Sequence, residues 1–190
     1  MRIEKLATEH GVKIKWIHFP LHPDTPMEGQ TLEALFEGRD YDVATMQAQM
    51  KARMEAEGLP YGTRTHTYNS RLAQELGKWA DTQPGGEALH DALFRAYFVD
   101  AQDISNIDVL LGVVAQVGLD RAAAESVLRE RSFKVAIDED WARAYAHGIR
   151  GVPSFAAGGY LVVGAQPYEV LEGLVKEALE NPHTPEQEEA

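Results

Sequence analysis

The chain has 190 residues, 44% of them hydrophobic, which is enough for one domain of ordinary size with a real core. Its 18 Lys and Arg stand against 30 Asp and Glu, and a formal charge of −12 repels phosphate backbones and anionic lipid heads, so nucleic acid and membrane are not expected partners. The absence of cysteine excludes disulfides, thiolate nucleophiles and cysteine metal sites within the chain. No apolar run approaches the ~20 residues of a spanning helix, and Met1–His10 lacks the apolar stretch of a secretory signal, so a cytoplasmic protein is expected.

Met1–His10 spaces Ile3, Leu6 and Ala7 as a helix does and runs into Gly11, which suits the position past a helix end. Lys13–Phe19 alternates Lys with apolar residues before Pro20 and Pro23, and reads as a first strand. From Thr31 to His147 the period is helical and no strand is expected. Val43, Met46, Met50 and Met54 form one stripe, Leu72, Leu76 and Trp79 a second, and Leu89, Leu93 and Tyr97 a third. Ser105 with Asp108 resembles a capping box ahead of Ile107, Leu110, Leu111 and Val114, with Gly118 at the end. Asp120 caps a further helix, and Ile137, Trp141 and Tyr145 mark the last of the block.

The period then changes to two. Ser154–Ala157, a Gly158-Gly159 turn and Tyr160–Val163 predict a tight hairpin, and the strand after the glycines excludes a phosphate-binding loop. Pro167 opens a closing helix with Leu171, Leu174, Val175 and Ala178 on its buried stripe. These elements divide the chain into an α/β unit from residues 1–30 and 148–180, a helical insertion at 31–147 and an acidic tail at 181–190.

Gly148-Ile149-Arg150-Gly151-Val152-Pro153-Ser154-Phe155, followed by Tyr160-Leu161-Val162-Val163-Gly164-Ala165-Gln166, resembles the cis-proline loop and terminal hairpin of DsbA-like oxidoreductases. Asn69-Ser70-Arg71-Leu72-Ala73, Leu93-Phe94-Arg95-Ala96-Tyr97-Phe98 and Asp103-Ile104-Ser105 are similar to the helical insertion of the cytoplasmic, FrnE-like branch. The resemblance runs from about Met1 to Leu179. It implies a thioredoxin-like α/β fold with an inserted all-helical subdomain, and protein or small-molecule dithiols and disulfides as substrates. It also implies kinship with kappa-class glutathione transferases and 2-hydroxychromene-2-carboxylate isomerases.

Members of that family carry Cys-x-x-Cys at the N-terminus of the first helix, where the helix dipole lowers the thiol pKa. Met1-Arg2-Ile3-Glu4-Lys5-Leu6 resembles the later turns of that helix, so the chain reads as N-terminally truncated, without the preceding strand and the active-site turn. A start placed too far downstream is favoured over deliberate truncation or a relative that lost its redox role. The reason is that a parallel sheet lacking its central strand leaves ladder groups unpaired at about 1–3 kcal/mol each. Lower stability and self-association, possible as a homo-oligomer, follow from that reading.

The resemblance implies no catalytic residue in this chain and three substrate-binding ones. Val152 would offer its backbone to an extended substrate, Pro153 would shape the loop, and Asn69 would approach a thiol substrate. From the local sequence alone, Val152 reads as a core valine, Pro153 as a turn proline, and Asn69 as the N-cap of the following helix. His18 and His22 have metal-ligand spacing only on a helix, which Pro20 excludes, and no metal site is expected. His66, His90 and His147 read as isolated, and Met46, Met50 and Met54 as core filler. No cofactor is expected for the oxidoreductase reading. Glutathione enters under the alternative, an isomerase or transferase with Ser in the missing turn. A noncatalytic peptide-binding module is the third reading.

Overall fold

The computed structural model describes residues 2–40 and 42–181. They form two compact units, one from residues 2–21 with 141–181 and the other from His22–Asp140. The acidic tail read at 181–190 lies, beyond Asn181, outside the described residues.

The first unit contains α1 (Arg2–His10), the end of a helix that begins in the other unit, β3 (Ser154–Ala157), β4 (Tyr160–Val163) and α9 (Tyr168–Glu180). β3 and β4 pair antiparallel in the register Ser154↔Val163 to Ala157↔Tyr160. The turn between them needs two left-handed residues, and Gly158 and Gly159 supply them at φ 55° and 82°. One face of the hairpin packs on the helices: Phe155 and Val12 lie against a small core of Leu6, Leu171 and Val175. The helices are tied by the Tyr168 hydroxyl to Glu9, by Lys5 Nζ 4.3 Å from the Tyr168 ring centre, and by His10 Nε2 3.3 Å from Glu172. On the opposite hairpin face Leu161 and Val163 are exposed.

Lys13–Phe19 does not form the strand its alternation predicts, since neither two-stranded sheet of the described residues includes it. Alternation prepares a segment for pairing, but a strand exists only when another backbone edge runs about 4.8 Å away. Ile14 and Trp16 are accordingly exposed.

The second unit is mostly helical: α2 (Leu32–Leu35), α3 (Val43–Ala56), α4 (Arg71–Ala80), α5 (Ala88–Phe98), α6 (Ile107–Gln116), α7 (Arg121–Glu130) and the first turns of α8 (Lys134–Ala146). Leu72, Leu76 and Trp79 of α4, Leu89 of α5, Leu110, Leu111 and Val114 of α6 and Leu128 of α7 build its core. Each fully buried Leu contributes roughly 1.5–3 kcal/mol. On α4, among these buried side chains, lies the buried carboxylate of Glu75. It accepts from Arg71 Nε at 2.8 Å and from Arg131 Nε and Nη2, each at 2.7 Å. Burial pushes the Glu75 pKa up, but the hydrogen bonds and charges of Arg131 and Arg71 more than reverse this and hold it below the ordinary range.

Three readings of this block are corrected. β1 (Gln30–Thr31) pairs with β2 (His66–Thr67) where no strand was expected, because two residues are too few to set a period. The cap of α6 is Asn106, whose Oδ1 accepts from Asp108 N at 2.8 Å. Ser105 instead donates to the Met27 carbonyl at 2.8 Å and to Asp103. Met46, Met50 and Met54 are not core, since α3 buries none of its residues and Met50 is exposed. Asp120 does cap α7, accepting from Ala122 N at 2.8 Å.

Candidate functional site

In the first unit, α8 ends at Ala146, and the chain turns back through Gly148 N to Tyr145 O at 3.0 Å and Ile149 N to Ala144 O at 3.0 Å. Tyr145 packs edge-on to Phe19 at 5.6 Å, and the Arg150 guanidinium lies 5.8 Å from the Tyr145 ring centre. The loop Gly151–Ser154 leads into β3. It is fixed by Ser154 Oγ donating to the Gly151 carbonyl at 2.7 Å and Gly164 N donating to the Pro153 carbonyl at 2.8 Å. The Val152–Pro153 peptide bond is cis.

Between these two anchors sits Val152. Its residue surface is 51% exposed, which corrects the core reading, and its N–H and C=O make no hydrogen bond among the described residues. Pro153 is exposed beside it. A backbone donor and acceptor left unbonded on an exposed residue, between bonded neighbours, can pair with the backbone of an extended ligand at little ordering cost.

Asn69 belongs to the helical unit. Its Nδ2 donates to the buried Thr25 carbonyl at 2.7 Å, and its Oδ1 accepts from Arg71 N at 2.9 Å. The N-cap position of α4 is Ser70, which makes no side-chain cap bond, so Asn69 satisfies the helix start from one residue earlier. His90, read as isolated, is bound to Asp81 at 2.7 Å. Among the described residues no group of three or more His, Asp or Glu is placed to hold a metal ion, and no helix is long and apolar enough to cross a membrane.

Sequence reasoning missed Arg64. The signal available was the alternation Thr63-Arg64-Thr65-His66-Thr67, which has the period of a strand. The structure places this arginine against Tyr97 and Phe98 of α5, 4.5 and 5.1 Å from their ring centres.

Comparison with known proteins gives a consistent result. The family model for a DSBA-like thioredoxin domain matches residues 1–176. The uncharacterised protein YwbO of Bacillus subtilis (strain 168) is 26% identical over 181 residues, covering 92% of this chain and 89% of that protein. Among solved structures, a probable DsbA oxidoreductase from Streptomyces coelicolor superposes with a TM-score of 0.85 at 28% identity, over 97% of this chain and 84% of that one. A 2-hydroxychromene-2-carboxylate isomerase superposes at 0.67 and 19% identity, over 94% and 85% of the two chains, and supports the fold alone. The fold is the thioredoxin-like α/β fold of DsbA relatives, mostly helical with small sheets.

Proposed function

Because this chain belongs to the DSBA-like thioredoxin-domain family, we propose that it supplies the substrate-gripping part of a thiol-disulfide oxidoreductase without supplying the redox chemistry. Exchange needs a thiolate to attack a disulfide sulfur and a second thiolate to leave. A chain without cysteine provides neither.

The observation that carries the proposal is that Val152, an exposed residue at the head of β3, has no backbone hydrogen bond among the described residues. A protein segment or small molecule bearing a dithiol or disulfide would pair with it as an added strand. Pro153 shapes the loop; Asn69, within the helical unit, is proposed by itself as a substrate contact, its carboxamide held by Thr25 and Arg71. No cofactor is proposed, and the proposed setting is the cytoplasm, where the charge of −12 disfavours nucleic acid and anionic lipid.

The test is a 15N-resolved titration with an extended peptide closed by one disulfide, alongside insulin precipitation by dithiothreitol. Saturable shifts at Gly151, Val152 and Ser154, with no acceleration of precipitation, are the expected pair of results. A peptide that leaves these amides unmoved overturns the proposal. Glutathione moving them where the peptide does not favours the isomerase-type reading.

A further inference from the structure

The segment from Gly62 to Tyr68 is pinned along its length. Gly62 N donates to the Phe98 carbonyl at 2.9 Å, Arg64 N to Gln47 Oε1 at 3.2 Å, and Leu32 N to the Thr65 carbonyl at 2.9 Å, while His66 and Thr67 form β2 against β1. Gly62 has no alternative here, since a Cβ would stand 2.0 Å from the Val99 carbonyl oxygen. This rigid segment forms one wall of a pocket of about 60 Å3 lined by Thr63, Arg64, Thr65, His66, Tyr68 and Tyr97.

Among the described residues no carboxylate lines the pocket. Arg64 Nη1 donates to the Tyr97 hydroxyl and, at 3.4 Å, to the His66 carbonyl, but its buried Nε has no partner and the guanidinium makes no ion pair among the described residues. Buried donors without a partner are few in native proteins, and the Arg64 Nε is one on a side chain that is otherwise half-buried. The positive field extends beyond the pocket. Burial, then the charges of Arg39 and Arg64, hold the His22 imidazole below its ordinary range. Among the described residues this cation has no carboxylate partner, in a chain of net charge −12.

We propose that this pocket is a binding site for a small oxyanion group, a carboxylate or a phosphate, received by the Arg64 guanidinium with the Thr63 and Thr65 hydroxyls and the Tyr97 hydroxyl around it. The volume decides the size class. On this measure one water needs roughly 10–15 Å3, so a pocket of about 60 Å3 has room for an oxyanion head. His66, stacked on Tyr68 with centroids 6.0 Å apart, closes the flank. The site is independent of the Val152 loop, and so is its test.

The experiment is a 15N-resolved titration of the full chain with inorganic phosphate and, separately, with acetate, at ionic strength held constant with sodium chloride. Saturable shifts confined to residues 63–68 and 97–101 are expected, weakened at least tenfold in Arg64→Gln and unchanged in Arg129→Gln, whose exposed guanidinium pairs with Glu125. Thr65→Glu places a carboxylate beside the guanidinium from an exposed side chain and is expected to abolish binding while the fold persists. Phosphate binding more than tenfold tighter than acetate assigns a phosphorylated ligand, and the reverse assigns a carboxylate. Shifts that never saturate, or that spread over the surface, overturn the site. If Arg64→Gln fails to fold, phosphate affinity undiminished in folded Thr65→Glu overturns it equally.

Discussion

Replacing Glu75 by Gln changes one carboxylate oxygen to an amide NH2 and leaves the volume of the side chain nearly alone, so its effect isolates the charge of this buried group. In the native arrangement Oε1 accepts from Arg71 Nε and Arg131 Nη2, and Oε2 accepts from Arg131 Nε. Glutamine can keep one of these oxygens, but its amide nitrogen must then face a guanidinium donor, and two cations lose their shared counterion. Breaking a buried ion pair from one side costs about 3–5 kcal/mol. The Arg131 side chain is 39% exposed, so water screens part of the loss and the lower end of that range applies. Arg71 keeps Asp138 at 2.6 Å and the Lys134 carbonyl at 2.7 Å, which points the same way. At roughly 2–4 °C per kcal/mol for a chain of this size, the midpoint of thermal unfolding followed by far-UV circular dichroism should fall by roughly 6–12 °C. A midpoint within about 2 °C of the parent, where surface substitutions usually fall, would refute the argument that this carboxylate organises the core.

The same carboxylate sets a pH dependence. Its folded pKa is depressed below the ordinary 4.5, so its stabilisation is present above that value and is lost as pH falls through the folded pKa; the midpoint should drop more steeply below 4.5 in the parent than in Glu75→Gln, and parallel curves would contradict this. Gly158→Ala forces a left-handed alanine whose Cβ would stand 2.7 Å from Ala178 Cβ. It should cost roughly 1–2 kcal/mol or more in a urea melt, a neutral result being the adverse one. Gly112→Ala in the α6 interior meets nothing within 4 Å and should instead stabilise by about 0.5–1 kcal/mol, measured in the same melt. Self-association through the open hairpin should appear in size-exclusion chromatography as a concentration-dependent shift that Leu161→Lys combined with Val163→Lys reduces; a monomer at every concentration counts against it.

The elements legible in the sequence were those whose pattern repeats often enough to establish a period. The hairpin Ser154–Val163 has two runs of four residues around a glycine pair that fits one turn type, and the structure has those bounds. The stripes of α4 and α6 gave the core. What stayed hidden depends on partners distant in sequence. The Met46, Met50 and Met54 stripe has the spacing of a buried helix face, yet burial requires a second surface, and α3 has no buried residue. Ser105 and Asn106 are both competent caps, and the choice fell to Asn106 because the Ser105 hydroxyl is engaged by Met27 and Asp103. Arg64 reads in sequence as a solvated cation between threonines. Only the aromatic rings of residues 97 and 98, more than thirty positions away, cover it in part.

The candidate site was reached through resemblance, because nothing local distinguishes Val152-Pro153 from an ordinary turn. Its physical content lies in how the loop continues. Val152 stands immediately before β3, and β3 is paired with β4 alone among the described residues. A backbone docking on the Val152 N–H and C=O therefore meets, in the next residues, a strand edge suited to further ladder bonds. One face of that strand is sealed by Phe155 against Leu6, Leu171 and Val175, so side chains of an added strand on that side would meet an existing core. On the other face they would lie beside Ser154 and Ala156, with Leu161 and Val163 one strand further on. The features that equip the hairpin to hold an extended substrate are thus the same ones that expose it to pairing with a second copy. Ligand and copy should compete, since a strand edge accepts one partner at a time.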